Sequence, residues 1–144
     1  MAFHGTFDHT LDSKNRLTVP SKLRTAFAEG AFLVRSTERC ISLYPSATYS
    51  AQTEAALSGL NPLHPQAREL RRYFHSNASQ VELDSAGRVM LSARQLEHAG
   101  IDRDVVVIGA GDCLELWDPS TWEAYHRDLS ARGADLTASL GHPA

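Results

Sequence analysis

Residues 11–24 read Leu-Asp-Ser-Lys-Asn-Arg-Leu-Thr-Val-Pro-Ser-Lys-Leu-Arg, and a weaker form of this segment returns 72 positions later. The matching positions in the second copy are Leu83, Asp84, Ser85, Arg88 and Val89. Residues 40–44 and 113–117 repeat a cysteine-led apolar run at an offset of 73, and an aromatic residue follows each run, Tyr49 and Trp122. Two unrelated domains would not share this series in one order, so the sequence indicates a tandem duplication.

The first copy predicts a hairpin, a short helix and a second hairpin. Asp12 and Asn15 supply turn chemistry, since Asp accepts backbone hydrogen bonds two residues on and Asn tolerates a left-handed backbone. Pro20 cannot donate to a strand ladder and ends the second strand, after which Ser21 is placed to cap a helix. The predicted elements are strands at 3–9 and 17–19, a helix at 21–28 closed by Gly30, strands at 32–34 and 41–44, and a helix at 46–57.

The second copy repeats this plan after a linking helix. In that helix Leu63, Ala67, Leu70 and Phe74 are spaced four, three and four, which predicts an apolar stripe facing inward. The later elements are a strand at 79–83, a turn at Gly87, a strand at 89–91, a helix at 93–99, a buried strand at 105–108 and a helix capped by Asp118. The predicted organisation is a first unit at 1–60, a linking helix at 61–78, a second unit at 79–132 and a flexible tail at 133–144.

Length and composition favour a soluble, cytosolic protein. The chain has 144 residues and is 42% hydrophobic, which is enough for a core. Each copy of about seventy residues would be marginal alone, so we expect the copies to pack together or to pair with other chains. The first residues lack the features of a signal peptide, and no stretch approaches the roughly 20 apolar residues of a membrane span.

Residue types that often carry chemistry are present without the spacing that chemistry requires. Cys40 and Cys113 occupy matching places in apolar runs, which favours small core residues over a disulfide. The seven histidines show no metal-ligand spacing, so neither a metal nor a cofactor is predicted. The chain has no nucleophile elbow and no Gly-rich phosphate loop, so no enzyme is predicted.

The charge distribution is uneven although the net charge is only −3. Residues 1–60 carry +1, residues 61–78 carry +2 and residues 79–144 carry −6. The charged residues within 13–24 are all cations, and the second copy has fewer near its own motif: Lys14, Arg16, Lys22 and Arg24 in the first copy, Arg88 and Arg94 in the second. Charge acts through patches rather than totals, so this basic face predicts double-stranded DNA as the partner.

Each copy contains an Asp-x-x-x-Arg pair, Asp12 with Arg16 and Asp84 with Arg88. Each pair could simply be a salt bridge that fixes its own turn. An Asp that orients an Arg also holds the guanidinium rigid, which suits bidentate recognition of guanine or phosphate. Both interpretations stay open on the sequence. A second basic group on the linking helix is typical of a solvated face, and whether it contacts DNA also stays open: Arg68, Arg71 and Arg72.

Several motifs together resemble the MraZ family of bacterial transcription regulators over nearly the whole chain. In the first copy they are Gly5, His9, the run Leu-Asp-Ser-Lys-Asn-Arg at 11–16, Val19-Pro20, Arg24 and Leu43-Tyr44-Pro45. In the second copy they are the run Leu-Asp-Ser-Ala-Gly-Arg at 83–88 and Glu-Leu-Trp-Asp at 115–118 with Trp122. The chain departs from the usual family pattern at Asn15, where glycine is usual, and at Ala86, where lysine is usual.

The resemblance implies a β-rich α+β fold made of two tandem AbrB-like (SpoVT/AbrB) units, each similar to half of a swapped-hairpin, double-psi-like barrel related by a pseudo-two-fold. It implies a homo-oligomeric ring that represses its own operon, at the start of the division and cell-wall gene cluster, by binding direct repeats in the promoter. It thus implies a cytoplasmic protein associated with the nucleoid. With the charge pattern, it points to DNA contacts by Lys14, Asn15, Arg16, Lys22, Arg24, Arg88 and Arg94, with Asp12, Asp84 and Gly87 shaping the turns.

Two other interpretations compete with a DNA-binding regulator. One is an antitoxin-like module of AbrB type whose main partner is another protein. The other is a hydrolase with an unrecognised site. A partner toxin would be expected to clasp a disordered tail, whereas here the first unit is followed by a second folded unit.

Overall fold

The computed structural model describes residues 2–141, which form a β-rich α+β fold. The strands are β1 (Thr6–Thr10), β2 (Arg16–Thr18), β3 (Ala31–Arg35), β4 (Ile41–Pro45), β5 (Ala78–Val81), β6 (Arg88–Met90), β7 (Asp104–Gly109) and β8 (Leu114–Trp117). The helices are a 3-10 helix (Ser21–Phe27), α1 (Ser46–Leu57), α2 (Pro65–Ser76), α3 (Ala93–Ala99) and α4 (Pro119–Ser139). None of the helices in this described part is both long enough and apolar enough to cross a bilayer.

Strands of the two copies interleave in both sheets. A six-stranded antiparallel sheet has the order β1-β7-β8-β4-β3-β5, and a two-stranded sheet pairs β2 with β6. Within each copy the predicted second hairpin is present, β3 with β4 and β7 with β8. The other four ladders join strands of different copies. Two of them pair equivalent strands, β2 with β6 and β4 with β8, and two pair non-equivalent strands, β1 with β7 and β3 with β5. The copies therefore share one core, as the marginal size of each predicted.

The prediction that the first two strands pair as a hairpin is wrong. The turn forms, since the Asp12 amide donates to the Arg16 carbonyl at 3.1 Å, but its two arms then diverge. Leu11 donates instead to the carbonyl of Arg103 at 2.8 Å, which continues the β1–β7 ladder. The other arm enters β2, which pairs with β6 rather than with β1. The divergence opens a space between the two sheets, and apolar side chains fill it.

The main core lies between the two-stranded sheet and one face of the six-stranded sheet. Leu17 and Val89 are directly opposite each other in the β2–β6 ladder and are 0% and 2% exposed. They pack with side chains of the larger sheet that point toward them: Leu33, Ile41, Leu43, Val105, Val107, Leu114 and Leu116. Burial of these side chains is the dominant force that holds the two copies together.

The opposite face of the six-stranded sheet carries a smaller aromatic cluster under the helices. Trp117 packs at ring-centroid distances of 5.4 Å from Trp122 and 5.3 Å from Tyr125, so the N-terminal half of α4 is fixed there. Cys40 is buried in the same cluster, and both cysteines are free thiols. The preference for small core residues over a disulfide is thus confirmed.

The helix ends agree with the sequence in the second copy and differ from it in the first. Ser92 and Gln95 form a reciprocal capping box at the start of α3, Gly100 closes α3 with φ of 66°, and Asp118 caps α4. Ser21 does not cap its helix: Pro20 occupies the cap position, which has no side-chain hydrogen bond, and the element is a 3-10 helix. Pro20 has no N–H group to satisfy and its ring fixes its own φ, so the helix can begin there without a side-chain cap.

Two further expectations differ from the structure. The inward stripe of α2 is incomplete, because Leu63 precedes the helix and is 82% exposed, and no residue of α2 is fully buried. The tail predicted from residue 133 continues as helix to Ser139, with support from an Arg132–Asp128 ion pair at 2.8 Å. Such i,i+4 pairs stabilise helices that lack a buried face. Residues 142–144 of that tail lie outside the described part of the chain.

Candidate nucleic-acid interface

The first motif forms a tight turn organised by one carboxylate. Asp12 Oδ1 accepts the amides of Lys14 and Arg16, both at 2.9 Å, and Oδ2 accepts Arg16 Nε at 2.7 Å. The Asn15 amide donates to the Asp12 carbonyl at 3.0 Å, and Asn15 has φ of 58°. Asn15 thus holds the left-handed position predicted from the sequence.

The second motif reproduces this turn almost bond for bond. Asp84 Oδ1 accepts the amides of Ala86 and Arg88 at 3.0 and 2.9 Å, and Oδ2 accepts Arg88 Nε at 2.8 Å. Gly87 takes the left-handed position with φ of 75°. The repeated geometry confirms that each Asp-x-x-x-Arg pair is an ion pair within its own turn.

The two carboxylates are held in their charged form. The Arg16 backbone amide makes the largest contribution in lowering the pKa of Asp12, and the Arg16 side chain adds to it. Arg88 acts in the same way on the pKa of Asp84. Both arginines use Nε for this bond, and among residues 2–141 neither arginine has a hydrogen bond from Nη. The two Nη groups of each guanidinium therefore stay available to another partner.

The β2–β6 ribbon brings the two motifs together on one exposed face. Arg16 is paired with Met90, and Thr18 with Arg88, while the intervening Leu17–Val89 pair points into the core. Because strand side chains alternate, the four outer side chains share one face, which we call the outer ribbon face. Arg16 and Arg88 are diagonal neighbours on it, roughly 7–8 Å apart by ladder geometry.

Backbone bonds fix the two turns at opposite ends of this ribbon. The Val19 amide donates to the Gly87 carbonyl at 2.9 Å, and the Leu91 amide donates to the Asn15 carbonyl at 2.9 Å. The pair of bonds is reciprocal, as expected for a duplicated unit that has folded around a pseudo-two-fold. The guanidinium groups are therefore presented by a rigid scaffold rather than by free loops.

Arg24 lies beside the second turn, although it follows the first motif in sequence. Its Nε donates to the Val19 carbonyl at 2.8 Å, and a Cβ atom added at Gly87 would collide with the Arg24 guanidinium. The basic residues of 13–24 are thus divided between the two ends of the ribbon. Lys14 and Arg16 belong to the first turn, and Arg24 joins Arg88 at the second.

Both copies of the chain are similar in sequence to a known protein family. The sequence matches the family described as "MraZ protein, putative antitoxin-like" over residues 2–73 and again over residues 74–139. The chain belongs to the MraZ family. Two consecutive matches also confirm the tandem duplication.

Proteins named as MraZ regulators are similar to this chain over nearly its full length. The protein named "Transcriptional regulator MraZ" from Micrococcus luteus is 43% identical over 130 residues, which are 90% of each chain. The protein of the same name from Corynebacterium urealyticum is 39% identical over 138 residues, 94% of this chain and 92% of its own. The one from Thermomicrobium roseum is 35% identical over 138 residues, 96% of each chain.

The remaining basic residues lie around the ribbon or away from it. Lys22 Nζ is 5.0 Å from the Phe7 ring centroid, a cation–π contact that holds it near β1. Arg94 is exposed in the first turn of α3. Arg68 closes the loop before α2 by donating to the carbonyls of Pro62 and Leu63, at 3.2 and 3.0 Å. On the same helix, Arg71 and Arg72 are exposed.

Sequence reasoning missed the two other members of the outer ribbon face, Thr18 and Met90. Both are exposed, and Met90 is 59% exposed. The alternation around Leu17 and Val89 is the signal that would have found them, once β2 and β6 were known to pair. Within residues 2–141, no group of three or more His, Cys, Asp or Glu side chains is close enough to hold a metal ion.

A cavity of about 320 Å³ lies on the sheet face opposite the ribbon, between the strands and the helices α1 and α2. Tyr44, Tyr49 and Glu115 are among its lining residues. Burial raises the pKa of Glu115, although the Trp117 indole donates to its carboxylate at 3.1 Å. Because the cavity and the ribbon are on different faces of the sheet, the cavity is separate from the candidate interface.

Proposed function

We propose that this chain is a DNA-binding transcriptional regulator whose outer ribbon face enters the major groove. The observation that carries the proposal is the presence of Arg16 and Arg88 on one exposed face, each anchored through Nε with both Nη groups available. A two-stranded ribbon fits the width of the major groove, and guanidinium groups pair there with guanine O6 and N7. The printed name of the relatives, a transcriptional regulator, supports the same function.

The proposed roles of the residues follow from their positions. Arg16 and Arg88 contact bases or phosphates from the ribbon. Asp12 and Asp84 orient these arginines without touching DNA, since phosphate would repel a carboxylate. Gly87 shapes the second turn. The cations and the amide at the ends and flanks of the ribbon bind the DNA backbone: Lys14, Asn15, Lys22, Arg24 and Arg94.

We extend the proposal to the assembly and the regulated genes that the family resemblance implies. The chain assembles into a homo-oligomeric ring and represses its own operon, at the start of the division and cell-wall gene cluster, by binding direct repeats in the promoter. Its place of action is the nucleoid. The interleaved ladders support the swapped-hairpin arrangement of AbrB-like units, because most ladders join strands from different copies.

A mobility-shift titration on the promoter region upstream of the chain's own gene, at several salt concentrations, tests the function. Arg16→Ala and Arg88→Ala should each lose about 1–3 kcal/mol of specific binding, roughly 5- to 150-fold, because each removes one bidentate contact. The matched control is Arg127→Ala, which removes an exposed arginine ion-paired with Glu123 on α4. Tight promoter binding by the Arg16→Ala, Arg88→Ala double variant would overturn the assignment of the outer ribbon face.

The family description also names antitoxin-like proteins, which favours protein binding as the second candidate function. An antitoxin of this type would bind its partner protein with or without DNA. The titration separates the two functions, since a wild-type chain that fails to discriminate promoter from scrambled DNA at any salt concentration is not a sequence-specific regulator.

A further inference from the structure

Met90 is an apolar side chain on a ribbon face that is otherwise polar and cationic. It is 59% exposed, and it stands on the outer ribbon face directly opposite Arg16 and two residues along the strand from Arg88. A single exposed methionine is unremarkable on most surfaces. Here both neighbours are arginines on the same ribbon face, and only the Nε of each is bonded to its own turn. A ligand that lies across both arginines would therefore also cover Met90.

The duplication makes the position of Met90 informative. Arg16 and Arg88 are equivalent in the two copies, and so are Thr18 and Met90, since both pairs are 72 positions apart. The outer ribbon face is therefore nearly symmetric about its pseudo-two-fold, with arginine matched by arginine. It is asymmetric where Thr18 is matched by Met90, a short polar side chain by a long apolar one.

Base pairs display only one apolar group in the major groove, the 5-methyl group of thymine. Methionine has a flexible, polarisable thioether that adapts to an irregular apolar surface. Arg16 and Met90 face each other across the ladder at about 5 Å, which corresponds to one or two base steps of about 3.4 Å. A thymine methyl next to a guanine that Arg16 contacts is thus within reach of Met90.

We infer that Met90 is a specificity-determining residue that contacts a thymine 5-methyl group and sets the polarity of each half-site. The inference rests on the proposed DNA-binding function and adds a chemical requirement to it. A symmetric ribbon would bind a half-site equally well in either direction. With Met90 at one end and Thr18 at the other, one direction buries the methyl group and the reverse direction does not.

Replacement of individual thymines by deoxyuridine tests the contact, because uracil lacks the methyl group and keeps every hydrogen-bonding atom. Wild-type protein should lose about fourfold in affinity at one thymine of the half-site, the effect of one buried methyl-sized group. In Met90→Gln, which keeps the length of the side chain but not its apolar end, the same replacement should have no effect. Met90→Leu should keep the loss, and the control Leu70→Gln, on α2, should leave it unchanged.

The exchange variant Thr18→Met, Met90→Thr tests the polarity. Both positions are exposed, so the fold tolerates the exchange, and the deoxyuridine-sensitive thymine should move to the other end of the half-site. If Met90→Gln loses as much as wild type on deoxyuridine, another residue reads the methyl group and the inference is wrong. An exchange variant that keeps the original sensitive thymine would overturn the polarity. If promoter binding by the wild-type protein requires Arg16 but no thymine is sensitive to replacement by deoxyuridine, only the role of Met90 is wrong. If the wild-type protein does not bind the promoter, the proposed function is wrong.

Discussion

Asp12 and Asp84 are two carboxylates that each accept three hydrogen bonds from their own turns. Each accepts two backbone amides and one arginine Nε, so the same group stabilises the turn and aims the guanidinium. The sequence left a structural and a functional interpretation open for these pairs. The geometry makes the two compatible, because an arginine that is fixed through Nε loses less conformational freedom when its Nη groups bind.

Asp12→Asn should lower both the thermal stability of the protein and its affinity for promoter DNA. An amide still accepts the two backbone N–H groups, but it cannot form an ion pair with Arg16. The folded state lowers the pKa of Asp12 below 3.8, so its contribution to stability is present above that pH and disappears as the pH falls through the folded pKa. Thermal melts of wild type and variant should therefore converge in acid, with Asp128→Asn on α4 as the control. A rise in affinity with unchanged stability would mean that Asp12 merely repels DNA.

Glu115 carries the opposite shift, since burial raises its pKa above the ordinary 4.5. The charged form is thus penalised in the folded state, and stability falls as the pH rises from 4.5 through the folded pKa. Glu115→Gln should stabilise the protein at neutral pH, and the gain should vanish in acid, as measured by urea unfolding at both pH values. The control is the exposed Glu82→Gln. Destabilisation at neutral pH would instead show that the hydrogen bond from the Trp117 indole outweighs the cost of burying the charge.

At the level of elements, local signals predicted local structure and the second hairpin of each copy, but they failed on the partners of β1 and β2. The turn at Asn15, the helix at 93–99 with its glycine stop, and the buried run at 105–108 are all confirmed, because each depends on residues close in sequence. Partner choice depends on which of two equivalent strands is nearer in space. The partners of β1 and β2 lie 70 or more residues away in sequence, and no local pattern distinguishes them from the equivalent strands of the other copy. The position of Arg24 was missed for the same reason.

Gly87→Ala tests the second turn as an element. A left-handed backbone at a residue with a Cβ costs roughly 1–2 kcal/mol, and the new methyl group would also collide with the Arg24 side chain. Denaturant unfolding should show a loss of about that much stability in Gly87→Ala. The same substitution made in an Arg24→Ala background should cost less, because the guanidinium is then absent. Asn15→Gly, at the equivalent place in the first turn, should change stability by less than about 1 kcal/mol. Equal losses for Gly87→Ala with and without Arg24 would show that the guanidinium does not occupy this space.

At the scale of the whole molecule, one ribbon is a small binding surface. The cations proposed to bind the DNA backbone around it are only four: Lys14, Lys22, Arg24 and Arg94. Proteins that bind DNA chiefly through phosphates often make 6–10 such contacts, so one protomer should bind weakly at physiological salt. The interleaved fold leaves one ribbon per chain. Additional ribbons must come from additional chains.

The symmetry of a ring would set the arrangement of half-sites in the operator DNA. If chains close into a ring, their ribbons lie on one side at a fixed angular step, and neighbours meet successive major grooves only where half-sites recur about every 10 base pairs in the same direction. Cyclic symmetry thus requires direct repeats, as two-fold symmetry requires palindromes. Because linked ribbons raise the effective concentration, affinity should climb by about 10²-fold or more from one repeat to two or three.

The measurement is a mobility-shift series on DNA with one, two and three direct repeats. A fourth DNA carries a 5-base-pair insertion, which turns one repeat to the opposite side of the duplex and should return the affinity to that of the remaining repeats. Inverting one repeat without changing the spacing should have the same effect, since a ribbon with Met90 at one end and Thr18 at the other binds in one direction. Equal affinity for all of these DNAs would mean that each protomer binds alone and that the ring takes no part in recognition.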